Sequence, residues 1–248
     1  MQIPIRRPSK IVAVHLNYPC RAAERGKLPR FPSYFLKPPS ALTGSGTLER
    51  PAGTRLLGFE GEIALVIGSR ASCVEPAQGW RHVAAITAAN DFGIYDLRHA
   101  DGGSNVRSKG ADGFLPVGPR LIEAEGVPLD KIRVRTWLNG KLVQAATSDT
   151  MLFDFGYLIA DLSQTMTLEP DDVILTGTPA GASVAVPGDE VAVQVDIVGG
   201  SESASSGRLT TRVVEGTRGY EIGAHPQADA TLEHLAWGDN HPEGRSDV

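Results

Sequence analysis

Two acids, Glu60 and Glu62, stand at the entrance to the apolar run Ile63-Ala64-Leu65-Val66-Ile67 in the stretch LLGFEGEIALVIG (56–68). Side chains alternate across a strand, so the two carboxylates share a face, about 6.6 Å apart along the chain. Like charges there repel and resist burial. An isolated E-x-E is most often a solvated strand edge. The alternative is a divalent cation that draws both carboxylates together, and oxygen donors of this kind suit Mg²⁺, Mn²⁺ or Ca²⁺ rather than zinc. Such a site needs a third ligand. Asp91 in ITAANDFGIYDLR (86–98) ends an apolar, small-residue segment, with Asp96 five residues on. Asn90-Asp91 by itself suits a turn or a helix cap. Lys109 and Asp112 lie in the glycine-rich RSKGADGFLPVGP (107–119), which alone reads as a surface turn.

Other chemistries find less support. ILTGTPAG (174–181) ends a strand in small residues whose N–H groups could meet an anion, but it lacks the lysine and spacing of a P-loop. LTGSGT (42–47) is too short a signal for a dinucleotide site. The six histidines form neither H-x-H nor H-E-x-x-H, which disfavours zinc. A net charge of −5 without a basic block argues against nucleic acid as a partner. No apolar run approaches the ~18 residues of a membrane span. MQIPIRRPSK has no apolar segment after its charges, so it does not read as a secretory signal. With only Cys20 and Cys73, a reduced, cytoplasmic setting is the simpler expectation.

The elements that must position these residues are mostly strands. KIVAVHLNY (10–18) reads as an opening strand, followed by a helical turn and a mobile loop in PCRAAERGKLPRFP. EPAQGWRHVAAI (75–86) suggests a helix starting near Pro76, with Val83 and Ile86 on one face. RVRTWLNGKLVQAAT (133–147) is a hairpin around Asn139-Gly140, which suits a type I′ turn. In SDTMLFDFGYLIADLSQTM (148–166), Leu152, Phe155, Leu158, Ile159 and Leu162 recur at helical spacing behind a Ser148 or Asp149 cap. DDVILTGTPAG, DEVAVQVDIVG and GRLTTRVVE are further strands, and ADATLEHLAWG is either a docking helix or a frayed tail. The chain is therefore expected to be mainly β with few helices (α+β), without the strand–helix alternation of a doubly wound domain. The expected organisation is an N-terminal strand, lid and loop segment (1–58), a catalytic domain (59–219) and a polar tail or docking helix (220–248).

The order of the motifs is more specific than any one of them. The chain runs N-Y-x-x-x-x-x-E, F-L-K-P-P-S, F-E-G-E-I-A-L-V-I-G, N-D, S-K-G-x-D-x-F-x-P-x-G-P and T-L-x-x-x-D-V-I-L-T-G-T-P-x-G. Over about residues 9 to 214 this succession resembles the fumarylacetoacetate hydrolase family. Within it, the resemblance is to the branch that holds the homoprotocatechuate-pathway decarboxylase/isomerase. The resemblance implies a mixed β-roll, usually a homodimer, with one Mg²⁺, Mn²⁺ or Ca²⁺ on Glu60, Glu62 and Asp91. It places Lys109 near metal and substrate, Glu24 on a lid, and Thr178 against a substrate carboxylate. Tyr18, Lys37 and Arg21 join the implied substrate-binding set.

Two departures from the family pattern bear on the reaction. Hydrolases of the family carry a lid histidine three residues before the glutamate, and together they activate water. Here that position is Arg21, which cannot act as a base at neutral pH but can hold a carboxylate in bidentate fashion. Where the family commonly has N-D-V-S-A-R-D, this chain has Tyr95 before Asp96, with Arg98 nearby. Decarboxylation and enol–keto isomerisation pass through an enolate that a Lewis-acidic metal and Lys109 would stabilise, and neither needs activated water. The expectation is an isomerase or decarboxylase of an unsaturated 2-oxo dicarboxylate such as 2-hydroxyhepta-2,4-diene-1,7-dioate, with Glu24 moving the proton and Arg21 holding the distal carboxylate. The rivals are an acylpyruvate-type C–C hydrolase, an oxaloacetate decarboxylase, and a non-catalytic partner in a heteromer with a homologous subunit.

Overall fold

The apolar run after Glu62 is the centre of a seven-stranded sheet, and every residue of Gly61–Ile67 is buried. In order across the sheet, the strands are Tyr34–Lys37, Ile11–Val14, Val173–Leu175, Gly61–Ile67, Val83–Asn90, Leu115–Glu123 and Leu42–Thr43. Pairing is mixed: Ile11–Val14 runs parallel to Val173–Leu175, while Gly61–Ile67 is antiparallel to both its neighbours. A strand apolar on both sides needs cover on both faces. Ile63, Leu65 and Ile67 pack with Phe155, Ile159 and Leu162 of a helix and with Val134 and Val193 of a second sheet. Ala64, on the opposite face, meets Ala89, Leu115, Val117 and Leu175. The computed structural model describes residues 3–199 and 204–238.

The second sheet has five strands, ordered Lys141–Thr147, Ile132–Leu138, Glu190–Ile197, Leu209–Gly219 and Gly46–Ala52. A small third sheet joins Ser183–Val184, Leu57–Phe59 and Gly93–Ile94. The result is the mixed β-roll expected above, strand-rich with few helices. Strands from residues 11 to 52 belong to the same two large sheets as later strands. Among the described residues no helix is long and apolar enough to cross a membrane.

Local expectations meet the structure unevenly. The 139–140 turn is present, with positive φ at both Asn139 and Gly140, as a type I′ hairpin requires. The long helix is Phe155–Thr165, and its cap is Asp154, which accepts from Tyr157 N at 2.7 Å, rather than Ser148 or Asp149. The Ser148 hydroxyl instead donates to Leu129 O and accepts from Ile132 N. The 75–86 helix is also corrected: Pro76–Gly79 makes one turn, Trp80–His82 is a 3₁₀ turn, and Val83 already opens a strand. Val83 and Ile86 still face one core because a bulge opposite Val66–Ile67 adds a residue between them, so helical spacing arises within a strand.

Candidate active site

Glu60 and Asp91 sit where the chain changes sheets. Leu57–Phe59 ends in the small sheet, Glu60 breaks the pairing, and Gly61–Ile67 resumes in the large one. Val83–Asn90 leaves the large sheet at Asp91 and enters the small one at Gly93. The two breaks are tied together. Asp91 N donates to Glu60 O at 2.8 Å, and Glu60 N donates to Asn90 Oδ1 at 3.0 Å. Gly61 between the acids is required by packing, because a Cβ there would lie 1.9 Å from Thr136 Oγ1. A third strand, Val173–Leu175, ends beside them, and its continuation brings Gly177 N to Glu62 Oε2 at 2.6 Å. Gly177 holds φ +95°, and a Cβ there would meet Asn17 Cβ at 2.8 Å. Three chain segments thus converge at one level and bring Glu60, Glu62 and Asp91 together, with ligand oxygens within 4.8 Å of one another.

The cations around this triad are unevenly shared. Lys109 Nζ reaches Glu60 Oε2 at 2.5 Å, Asp91 Oδ2 at 3.0 Å and Asp91 O at 2.7 Å. Lys37 Nζ holds Asp91 Oδ1 at 2.6 Å and also donates to Phe92 O and Lys109 O. Arg21 bridges Glu24 Oε2 at 2.7 Å and Glu60 Oε1 at 3.2 Å, and Tyr95 OH donates to the same Glu60 oxygen at 3.1 Å. Burial pushes the Glu60 carboxyl up, but the Lys109 and Arg21 charges outweigh it and hold it below the usual carboxylate range. Glu62 fares otherwise. It is 2% exposed and accepts from Gly177 N, and among the described residues it has no other donor and no ion pair. Burial, and then the Asp91 and Glu60 charges, push its carboxyl well above the usual range.

An ionised carboxylate has about four acceptor positions, so Glu62 has capacity to spare. Beside it the Tyr18 hydroxyl is buried with no hydrogen-bond partner among the described residues, and burial, then the Glu62 charge, raise its ionisation well above the ordinary phenol range. An all-oxygen set of three converging carboxylates, one of them short of donors, fits a hard divalent cation. Glu60, Glu62 and Asp91 are the residues that would hold it.

A pocket of about 360 Å³ opens onto Glu60 and Lys109. Its walls carry five cations, Arg21, Arg25, Lys27, Arg98 and Lys109, against the single acid Glu60. The excess favours an anionic occupant. Arg21 is buried and engaged at both ends. Arg98 makes no ion pair among the described residues and lies over the Tyr95 ring, 4.2 Å from its centre. Arg25 donates to Tyr95 OH at 2.7 Å. His15 also faces the pocket. Burial lowers its pKa, and both ring nitrogens are occupied, by Asn105 Nδ2 at 2.8 Å and Ser33 Oγ at 3.1 Å.

The remaining sequence candidates divide. Glu24 sits on the short helix Pro19–Glu24, accepts from Gly181 N at 2.9 Å and pairs with Arg21. Lys37 is fully buried and outside the pocket wall, and its contacts orient Asp91 and Lys109. Thr178 is buried too. Its hydroxyl donates to Gly61 O at 2.9 Å and accepts from Gln144 at 2.8 Å, which fixes the turn beside Glu62. Asp96 accepts from Arg55 N and Leu56 N, and Asp112 is exposed, so neither joins the acidic triad. Sequence reading passed over His15, Arg25 and Asn105 as pocket residues. Nothing in their local pattern separates them from ordinary solvated groups.

Comparison with known proteins places this geometry. Residues 10–214 match the family model described as Fumarylacetoacetate (FAA) hydrolase C-terminal. The 4-hydroxyphenylacetate degradation bifunctional isomerase/decarboxylase of Escherichia coli is 39% identical over 207 residues. That match covers 82% of this chain and 46% of the relative, so the chain spans about half the length of that protein. Among solved structures, 5-carboxymethyl-2-hydroxymuconate delta-isomerase from Mycobacterium smegmatis superposes with a TM-score of 0.75 at 35% identity, covering 87% of this chain and 82% of that one. The 2-hydroxyhepta-2,4-diene-1,7-dioate isomerase from Mycobacterium marinum gives the same score and identity, with 87% and 77% covered.

Proposed function

The chain belongs to the fumarylacetoacetate hydrolase family, and on that basis we propose that it is a divalent-metal-dependent isomerase or decarboxylase of an unsaturated 2-oxo dicarboxylate in aromatic-compound catabolism. The observation that carries this reading is the pocket: five cations line it against one acid, Glu60, which belongs to the Glu60-Glu62-Asp91 cluster behind the wall. A substrate suited to such a site would carry negative charge at both ends, one end near the carboxylate cluster and the other among the pocket cations. The similar proteins named as isomerases and isomerase/decarboxylases support the reaction class.

A cation on Glu60, Glu62 and Asp91, Mg²⁺ or Mn²⁺ with Ca²⁺ as an alternative, supplies Lewis-acid polarisation of the 2-oxo acid. Lys109, buried and held between Glu60 and Asp91, places a fixed positive charge beside the developing enolate. Burial works against its charge, but Asp91 and Glu60 more than compensate, so Lys109 stays protonated. Glu24, partly exposed on the short helix and held by Arg21 and Gly181 N, is the group proposed to move a proton between substrate carbons. Arg21 holds Glu24 and Glu60 in place, so the distal carboxylate falls to Arg98, the pocket arginine without an ion pair or a backbone tether. His15 does not restore the missing water-activating base, because both of its nitrogens are hydrogen-bonded.

A homodimer, or a heteromer with a homologous subunit, remains part of this reading, in keeping with a relative about twice as long. The test is a spectrophotometric screen of 2-oxo and 2-hydroxydienoic dicarboxylates, acylpyruvates and oxaloacetate, with Mg²⁺ and with EDTA. Metal-dependent isomerisation or decarboxylation of the dienoic dicarboxylates is expected. Turnover of acylpyruvates alone would replace this reading with a hydrolase, and turnover in EDTA would remove the metal from it.

A further inference from the structure

The family match stops at residue 214, yet the chain beyond it returns to the active site. After the Leu209–Gly219 strand, Gln227 N donates to Asp96 O at 2.8 Å, and Asp229 caps the helix Ala230–Trp237 by accepting from Leu232 N. Arg55 pairs with Glu233 at 2.7 Å, and Ser183 Oγ donates to Trp237 O at 2.8 Å. Ala236 is buried against Leu56, Tyr95 and Val184. The helix therefore lies behind Tyr95, the residue at which the sequence departs from the family pattern.

A continuous chain of hydrogen bonds runs from this helix to the acidic triad. The last carbonyls of a helix have no partner within it, and a cation there is favoured by the helix dipole. Arg25 takes this place, with Nη1 on Leu235 O at 2.8 Å. Its Nη2 donates to Tyr95 OH at 2.7 Å, which leaves the phenol proton pointed at Glu60 Oε1, 3.1 Å away. Arg25 is also the C-cap of the short helix that carries Arg21 and Glu24. One guanidinium thus joins the C-terminal helix, the pocket-side helix and a candidate metal ligand.

We propose that the C-terminal segment 220–238 is a positioning element of the active site, acting through Arg25 and Tyr95 to fix the orientation of Glu60 toward a divalent cation. Tyr95 and Arg25 are positioning residues here, and the inference rests on the metal-site reading above. Hydrogen-bond partners behind a ligand are worth about 10- to 100-fold in metal affinity, and that is the size of effect this relay should have.

The test measures Mn²⁺ affinity by calorimetry on the full chain, as wild type, Tyr95→Phe, Ala236→Asp and the double variant, with circular dichroism and Tm recorded for each. Tyr95→Phe removes only the hydroxyl. Ala236→Asp sets a charge against Leu56 and Tyr95 and lifts the helix, while Ala236→Ser should behave as wild type. Each of the first two should weaken Mn²⁺ binding about 10- to 100-fold, and the double variant should lose no more than Tyr95→Phe alone, because both break one relay. If Ala236→Asp fails to fold, Tyr95→Phe and Arg25→Gln carry the test, again with equal and non-additive losses expected. Wild-type affinity in Tyr95→Phe, or additive losses in the double variant, would overturn the proposal. Absence of Mn²⁺ binding by the wild type would instead overturn the metal-site reading itself.

Discussion

Asp172 and Glu62 are both buried acids next to central strands, and they are treated in opposite ways. Asp172 accepts from Ser9 N, Ser9 Oγ, Lys10 N, Lys10 Nζ and Glu169 N. Burial pushes its carboxyl up, but the hydrogen bonds from Lys10 and Ser9 dominate and hold it below the ordinary range. Its donors come from the N-terminal segment and from the turn before its own strand, so it locks the parallel pairing of Ile11–Val14 with Val173–Leu175. Glu62 has one backbone donor and two like charges nearby, and its carboxyl is pushed the other way. A saturated buried acid is a structural clamp. An unsaturated one beside other acids is a place kept for a ligand.

The largest expected effect is at the edge of the unsaturated cluster. Lys109→Ala should lower kcat by about 10²–10³-fold, the usual result of removing a charge aimed at a developing oxyanion, with steady-state kinetics as the check. Arg98→Gln should come next. It should raise KM for dicarboxylates by about 10- to 100-fold, the equivalent of a lost charge-assisted hydrogen bond of about 1.5–3 kcal/mol, and leave monocarboxylates nearly unchanged. Equal effects on both would return the distal carboxylate to Arg21. The smallest effects should differ in sign, which bears most directly on the contrast. Asp172→Asn should cost about 2 kcal/mol, whereas Glu62→Gln should raise the Tm of the metal-free protein at pH 8 by about 2–4 °C.

The two acids also oppose each other in pH. The folded pKa of Asp172 is depressed, so its contribution is complete above the unfolded value of about 3.9 and is lost as pH falls through the folded one. That of Glu62 is raised, so the folded metal-free chain keeps a proton that the unfolded chain has released. Stability therefore falls as pH rises from about 4.3 through the folded pKa of Glu62. Thermal melts in EDTA across this range, for wild type and Glu62→Gln, should diverge increasingly as pH rises. Parallel curves would mean that Glu62 is satisfied in some other way.

Only the Glu62 side of this contrast was legible in the sequence; the Asp172 clamp was not, because its donors Ser9 and Lys10 lie 163 and 162 residues away. The E-x-E on a buried run, N-D and S-K-G each suit a solvated edge or turn alone, and only their order, through the family resemblance, implies the triad and Lys109. The Asn139-Gly140 hairpin follows from φ > 0 at both turn residues. By contrast, Lys37 reads as a substrate ligand by motif alone, and only the fold shows its ammonium buried against Asp91. The Asp154 cap was a local signal passed over, three residues before the Tyr157 N–H it accepts, whereas the strand at Val83 depended on long-range pairing that local spacing does not record. The same holds for Arg25 and the helix at 230–237, whose link to Glu60 is made by tertiary contacts beyond the family-matched region.

The most direct test of the central claim is calorimetric titration of Mn²⁺ into the metal-free chain and into Glu60→Ala, repeated in buffers of different ionisation enthalpy. One ion should bind per wild-type chain, with proton release as Glu62 ionises, and Glu60→Ala should show no measurable binding. Failure of the wild type to bind, or equal binding by the two proteins, would contradict that claim.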